Sequence, residues 1–188
     1  MSVYDSVSKQ LQTAAAIGVI PTDTVYGIVA RAGDQQAVAR LYALKHREHK
    51  PGTLIAASID QLESLGLKRR YLTAVSQFWP GAVSVIIPCA DPALEYLHQG
   101  KQSLAVRIPE SVDIRTMLEA TGPLLTSSAN HPGQPTAVTV QQARDYFNGG
   151  VDFYIDVGDL SDHQPSTIIR IVDDAVEVIR QGAVKIDL

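Results

Sequence analysis

The chain reads as an α/β domain, a twisted, open, mixed sheet with flanking helices. Short apolar runs of strand length alternate with segments of helical periodicity along most of its length. Residues 166–179 instead read as two strands joined at Asp173-Asp174, a hairpin that a purely parallel sheet would not contain. At 188 residues and 45% hydrophobic, the chain can bury about 70% of its unfolded surface, enough for a core without disulfides or metal. No repeat, low-complexity run or Pro/Gly linker divides it, so residues 1–188 are taken as one domain.

In chain order, residues 6–17 predict a helix with Val7, Leu11 and Ala14 on one face, ended by Gly18. Val19-Ile20-Pro21 is a short strand running into a Thr-Asp-Thr loop. Val25–Ala30 is a buried strand or the start of a helix. Asp34 caps a helix over Gln35–Lys45. Leu54–Ala57 is strand-like, and Ile59–Leu65 and Tyr71–Phe78 are helical. Val83–Ile87 is a β-branched strand closed by Pro88. Ser103–Ile108 alternates as a strand, and Val112–Ala120 follows as a helix. Leu124–Thr126 is a strand leading into Ser127-Ser128-Ala129-Asn130. Thr139–Phe147 is a helix, and Asp152–Val157, Ser166–Val172 and Ala175–Ile179 are strands.

Composition excludes several classes. The net charge of −4 and ordinary apolar content argue against disorder. No apolar run approaches a membrane span of about 20 residues. The N-terminus lacks the basic and apolar regions of a signal peptide, so a soluble cytoplasmic protein is expected. Cys89 is the only cysteine, so no internal disulfide is expected, and its setting is that of an inert thiol at the core edge. There is no Walker or dinucleotide glycine motif and no nucleophile elbow. His46 and His49 lack a nearby third ligand and read as solvated residues at a helix end, with no metal site assigned.

Four segments carry polar groups that an ordinary core has no use for. Pro21–Gly27 (PTDTVYG) holds two hydroxyls, a carboxylate and a phenol, which suit a site or a capped turn. Lys45 and Arg47 can share an anion only if the helix ends near Leu44, because residues two apart on a helix point away from each other. Otherwise they form a solvated basic turn at a helix C-terminus. In Ser103–Arg107, period two puts Ser103, Ala105 and Arg107 on one face. Arg107 is then either paired with a carboxylate or phosphate, or reaches solvent from an edge strand. Ser127-Ser128-Ala129-Asn130 follows a strand, where open α/β sheets place ligands, although Ser and Asn there also suit capping.

Together these segments resemble the YrdC family, the threonylcarbamoyl-adenylate synthases, over nearly the whole chain. The resemblance rests on PTDTVYG, the K-x-R of Lys45 and Arg47, SLAVRIP, the S-x-N of Ser128 and Asn130, Pro165-Ser166-Thr167, and the segment from Val178 to Ala183. It implies a large concave positive cavity and a reaction of L-threonine, bicarbonate and ATP that gives threonylcarbamoyl-AMP and pyrophosphate. Magnesium would accompany the ATP. The product would serve threonylcarbamoyladenosine formation on tRNA through threonylcarbamoyl-transferase partners. Double-stranded RNA is a further implied partner. An RNA-binding or ribosome-maturation module without adenylating activity is the alternative.

By the same resemblance, Thr24, Arg107, Ser128 and Ser166 would hold L-threonine. Lys45, Arg47, Ser103, Asn130 and Arg180 would hold ATP, with Lys45 and Arg47 as the catalytic pair. Apart from the resemblance, Asp23 is a candidate helper for the magnesium that ATP brings. The pattern departs after Arg47, where EHKPGT replaces the usual proline and the spacing is one residue short, which puts a phosphate contact from Lys50 in doubt. Pro165 stands where many members have glutamate, and Val138 falls near an expected hydroxyl, for which Thr136 or Thr139 would substitute. The chain resembles the short, single-domain branch.

Overall fold

In the computed structural model, residues 2–46 and 49–186 are described. Among them, nine strands form one mixed sheet. Helix α1 (Tyr4–Leu11) precedes β1 (Ile17–Pro21) and β2 (Tyr26–Arg31), and α2 (Gln35–Leu44) leads to β3 (Thr53–Ile55). Helices α3 (Ile59–Leu65) and α4 (Arg69–Ala74) come before β4 (Val83–Pro88), and α5 (Glu95–His98) before β5 (Ser103–Arg107). Helix α6 (Val112–Thr121), β6 (Leu124–Ser128), α7 (Val140–Phe147) and β7 (Phe153–Tyr154) follow, and the hairpin β8 (Thr167–Val172) and β9 (Ala175–Arg180) comes last. The sheet order is β7-β1-β2-β6-β3-β5-β4-β8-β9. The β1–β7, β3–β5 and β4–β8 pairs are parallel, and the rest are antiparallel. This is the expected mixed sheet with flanking helices.

Alternation along the strands sorts the side chains into two layers. Ile28 and Ala30 of β2, Leu54 of β3 and Leu125 of β6 pack on one face with Ala37, Val38 and Leu41 of α2 and Val140 and Ala143 of α7. Val29, Ile55 and Leu124 point the other way, onto Val7 and Leu11 of α1 and Ile114, Met117 and Leu118 of α6. Helices α1 and α6 pack together over that second face. They cover its β1–β2–β6–β3 part, and no helix among the described residues covers the β5–β4–β8 part.

Several boundaries differ from the sequence reading. The first helix stops at Leu11 rather than 17. Ala15 takes a left-handed φ of 59°, its amide donates to Asp34 Oδ2 at 2.8 Å, and Ile17 enters the sheet opposite Ala30. Sheet pairing overrides the helix propensity of Ala14–Ala16. Val25–Ala30 resolves as strand β2. The helix expected at Tyr71–Phe78 is α4 plus a 3₁₀ turn at Ser76–Phe78. Residues 152–157 pair with β1 only at Phe153 and Tyr154. Beyond them, the Val157 amide donates to the Tyr26 hydroxyl at 3.0 Å, and that hydroxyl donates to Gly158 O at 2.8 Å, drawing the chain off the sheet. Strand β6 runs on to Ser128, so the serines expected in a loop lie on the sheet. Helix α5 is too short to leave a periodic signal. Asp34 caps α2 through the Ala37 amide at 3.0 Å. Asp173 and Asp174 both have positive φ, 50° and 62°, as a two-residue hairpin turn requires.

Candidate active site

The bare part of the sheet is the floor of a cleft of about 720 Å³. The same-face residues Ser103, Ala105 and Arg107 of β5, Ile86 of β4, and Ile168 and Arg170 of β8 line it. Thr126 and Ser128 of β6 and Gly27 of β2 close one side, and Arg180 of β9 the other. A Cβ on Gly27 would stand 2.7 Å from Thr126 Oγ1, so the wall comes together only around a glycine. Cationic Lys50, Lys101, Arg107, Arg170 and Arg180 face this cleft, and its described lining holds no carboxylate. In a chain of net charge −4, that local concentration of cations favours an anionic ligand.

Arg107 is not an edge-strand arginine. Strand β5 lies between β3 and β4, and Arg107 is 3% exposed. Its Nη1 donates to Asp23 Oδ1, forming an ion pair with the carboxylate of the PTDT loop. That loop is built by its threonines. The Thr22 and Thr24 hydroxyls are 3.0 Å apart, and Thr22 Oγ1 donates to Val25 O at 2.6 Å. The Thr24 and Val25 amides donate back to Thr22 Oγ1 at 3.2 Å each. Tyr4 packs behind the loop and donates to Pro21 O at 3.2 Å. Burial first, then the charges of Asp23 and Asp113, push its phenol up to about 12.

On the opposite wall, Ser166 Oγ lies 2.9 Å from Ser84 Oγ. Arg180 donates to Ser166 O through Nε at 3.2 Å and Nη2 at 2.8 Å. The β8–β9 hairpin therefore fixes the guanidinium over the floor.

Helix α2 ends at Leu44, the condition under which Lys45 leaves the helix face. Lys45 is 2% exposed. Its ammonium donates to Ser128 O and Asn130 Oδ1, both at 2.7 Å, and to Asn130 O. Ser128 Oγ donates to Asn130 Oδ1 at 2.7 Å, and Asn130 Nδ2 to Gln134 O at 2.6 Å. Lys45 thus pins the S-x-N turn from beneath. Lys45 and Asn130 line a second cleft of about 900 Å³, which meets the first at Ser128 and Lys50.

Of the residues singled out from sequence, Thr24, Ser103, Arg107, Ser128, Ser166 and Arg180 line one cleft, and Lys45 and Asn130 its neighbour. Arg47 lies outside the described residues. Lys50 faces both clefts. Thr139 spends its hydroxyl on the N-cap of α7. His46 and His49 are exposed. Cys89 is 6% exposed, and burial pushes its thiol up, as an inert core-edge thiol requires. Sequence reasoning missed Ser84, Thr126, Lys101 and Arg170. Extending β6 to Ser128 would have found Thr126, because it shares a strand face with Ser128.

No group of three or more His, Cys, Asp or Glu able to hold a metal occurs among the described residues. Asp23, beside the cleft, is committed to Arg107. This donor set does not build a resident metal site. No helix among the described residues is long and apolar enough to cross a membrane.

Residues 10–182 match the Sua5/YciO/YrdC family model, described as telomere recombination. A putative threonylcarbamoyl-AMP synthase of Mycobacterium leprae (strain TN) is 36% identical over 173 residues, covering 89% of this chain and 78% of its own. The threonylcarbamoyl-AMP synthase of Bacillus subtilis (strain 168) is 30% identical over 198 residues, with 98% of this chain and 57% of its own covered. The crystal structure of P. abyssi Sua5 complexed with L-threonine superposes with a TM-score of 0.80 at 26% identity, over 96% of this chain and 54% of that one. The chain thus spans about half of that Sua5 protein. E. coli YciO shares the fold, with a TM-score of 0.79 at 21% identity over 97% of this chain and 90% of that one. The order of the polar segments, the sheet that gathers them and the span of the match all agree: this chain belongs to the Sua5/YciO/YrdC family.

Proposed function

We propose that the chain is an L-threonylcarbamoyladenylate synthase, which joins L-threonine, bicarbonate and ATP into threonylcarbamoyl-AMP and releases pyrophosphate. The observation that carries this reading is the single cleft onto which Thr24, Arg107, Ser128, Ser166 and Arg180 converge. A buried guanidinium among small hydroxyls suits an α-carboxylate next to a side-chain hydroxyl. The cations toward Arg180 and Lys50 suit phosphate oxygens. Relatives bearing the synthase name, and a similar fold solved with L-threonine, support the same reading.

In this reading the amino acid lies at the Arg107 end, held by Thr24, Ser128 and Ser166. ATP lies against Ser103, Asn130 and Arg180. Magnesium arrives on the triphosphate as part of the substrate. Lys45 keeps the S-x-N turn in place next to the nucleotide, and Arg47 completes the K-x-R pair. Once the ammonium has lost a proton to solvent, the amine and bicarbonate form a carbamate and release water, and a carbamate oxygen attacks the α-phosphorus while pyrophosphate leaves. Charge then builds on phosphate oxygens, and fixed cations stabilise it without reorganising. The product passes to transferase partners acting on tRNA in the cytoplasm.

The test is pyrophosphate release by purified protein with magnesium and ATP. Release is expected only when both L-threonine and bicarbonate are present. Folded protein that releases none sinks the proposal. Salt-sensitive RNA binding without turnover would favour the RNA-binding alternative.

A further inference from the structure

The Arg107–Asp23 pair uses only part of its hydrogen-bonding capacity. A guanidinium and a carboxylate matched fork to fork make two parallel bonds. Here Nη1 donates to Oδ1, while Arg107 Nε and Asp23 Oδ2 are buried with no partner among the described residues. The side chains are 3% and 8% exposed. Buried polar atoms left without partners are costly and call for an explanation. The Thr22 hydroxyl holds the Thr24 and Val25 amides, so the backbone around Asp23 is fixed and its side chain is the part left to move.

A lone donor and a lone acceptor on one ion pair match the two charged ends of an α-amino acid. We propose that Asp23 is the determinant that selects a free α-ammonium group. With the cleft empty, its carboxylate occupies Arg107. When an amino acid enters, its α-carboxylate takes Arg107, and its α-ammonium donates to Asp23 Oδ2. A ligand without the ammonium displaces Asp23 from Arg107 and returns nothing to it. Tyr4 stands behind Asp23 as a neutral phenol, so it brings no competing charge. This inference rests on reading the cleft as an amino-acid site.

The experiment compares L-threonine with (R)-3-hydroxybutyrate by calorimetric titration of the full chain. The two share the carboxylate and the hydroxyl, and only threonine has the ammonium. Wild-type protein is expected to bind threonine about 30-fold more tightly, which is about 2 kcal/mol, one hydrogen bond to a charged group. In Asp23→Asn that ratio is expected to fall to about 3 or less, because threonine weakens while hydroxybutyrate does not. A merely structural role for Asp23 would weaken both ligands in parallel, and an unchanged ratio overturns the proposal. Asp23→Glu, which keeps the charge but moves the oxygen, is expected to lower the ratio as well. A wild-type ratio near one overturns the proposal without any variant. If wild-type protein binds neither ligand, the amino-acid reading itself fails; if it prefers threonine and both variants keep that preference, Asp23 alone is excluded.

Discussion

The Lys45 ammonium grips Asn130 by both its main-chain and its side-chain oxygen, joining the end of α2 to a turn 85 residues further along the chain. Ser128 O completes the grip. A buried ammonium needs such acceptors, because an unpaired buried charge is expensive. The lysine of the K-x-R motif and the S-x-N motif therefore form one structural unit.

Lys45→Met would keep the packing and remove the donor. Three oxygens lose a charged donor, although Ser128 O keeps the Asn130 amide and Asn130 Oδ1 the Ser128 hydroxyl. Urea denaturation is expected to show a loss of about 3 kcal/mol, and the KM for ATP to rise more than that for threonine. A variant of wild-type stability would show that the grip contributes nothing.

Arg107→Met should cut threonine-dependent turnover roughly 1,000-fold, the scale of two hydrogen bonds to a charged group, and leave the KM for ATP within about twofold. It should also destabilise the fold by about 3–5 kcal/mol, because Asp23 is left buried and unpaired. Adding Asp23→Leu should recover most of that stability and none of the turnover. Thermal melts and pyrophosphate assays on both proteins separate the two effects.

Gly27→Ala puts a methyl group where the wall has 2.7 Å to Thr126 Oγ1. Overpacking of this kind costs about 1–3 kcal/mol. Turnover is expected to fall about tenfold, with far-ultraviolet circular dichroism unchanged. Wild-type kinetics would mean that the wall yields freely.

Acid should loosen the corner held by Asp152. Its carboxylate accepts from the Ile17 amide and from Arg40 Nη1, both at 2.8 Å. Burial opposes ionisation, but the Arg40 guanidinium and the Ile17 amide outweigh it and hold the carboxyl below its ordinary range. The folded state then binds fewer protons than the unfolded one, so this contribution is fully present above about pH 4 and is lost as pH falls through the lowered folded value. Asp152→Asn should melt lower than wild type at pH 6, and the gap should narrow toward pH 3. A constant gap across that range would exclude the linkage.

The sequence revealed most of the elements and the β5 strip of the cleft floor, because period two in Ser103–Arg107 is a local property. It could not show which carboxylate meets Arg107, since Asp23 lies 84 residues away and only the sheet order brings them together. The end of α1 departs from the local signal for a related reason: Ala14–Ala16 favour a helix locally, whereas the β1–β2 ladder is non-local. The burial of Lys45 beneath the S-x-N turn is not a local property either, and emerges only from where the end of α2 meets the end of β6.

Helices α1 and α6 shield one portion of their sheet face and stop short of the rest, so the fold separates two kinds of selection. Residues under the helices answer to packing, and a change there is felt first as lost stability. Ser103, Ala105, Ile86 and Ile168, on the unshielded strands, support no helix above them. Evolution, or an engineer, can reshape that surface to take a different ligand while the hydrophobic layers beneath stay intact.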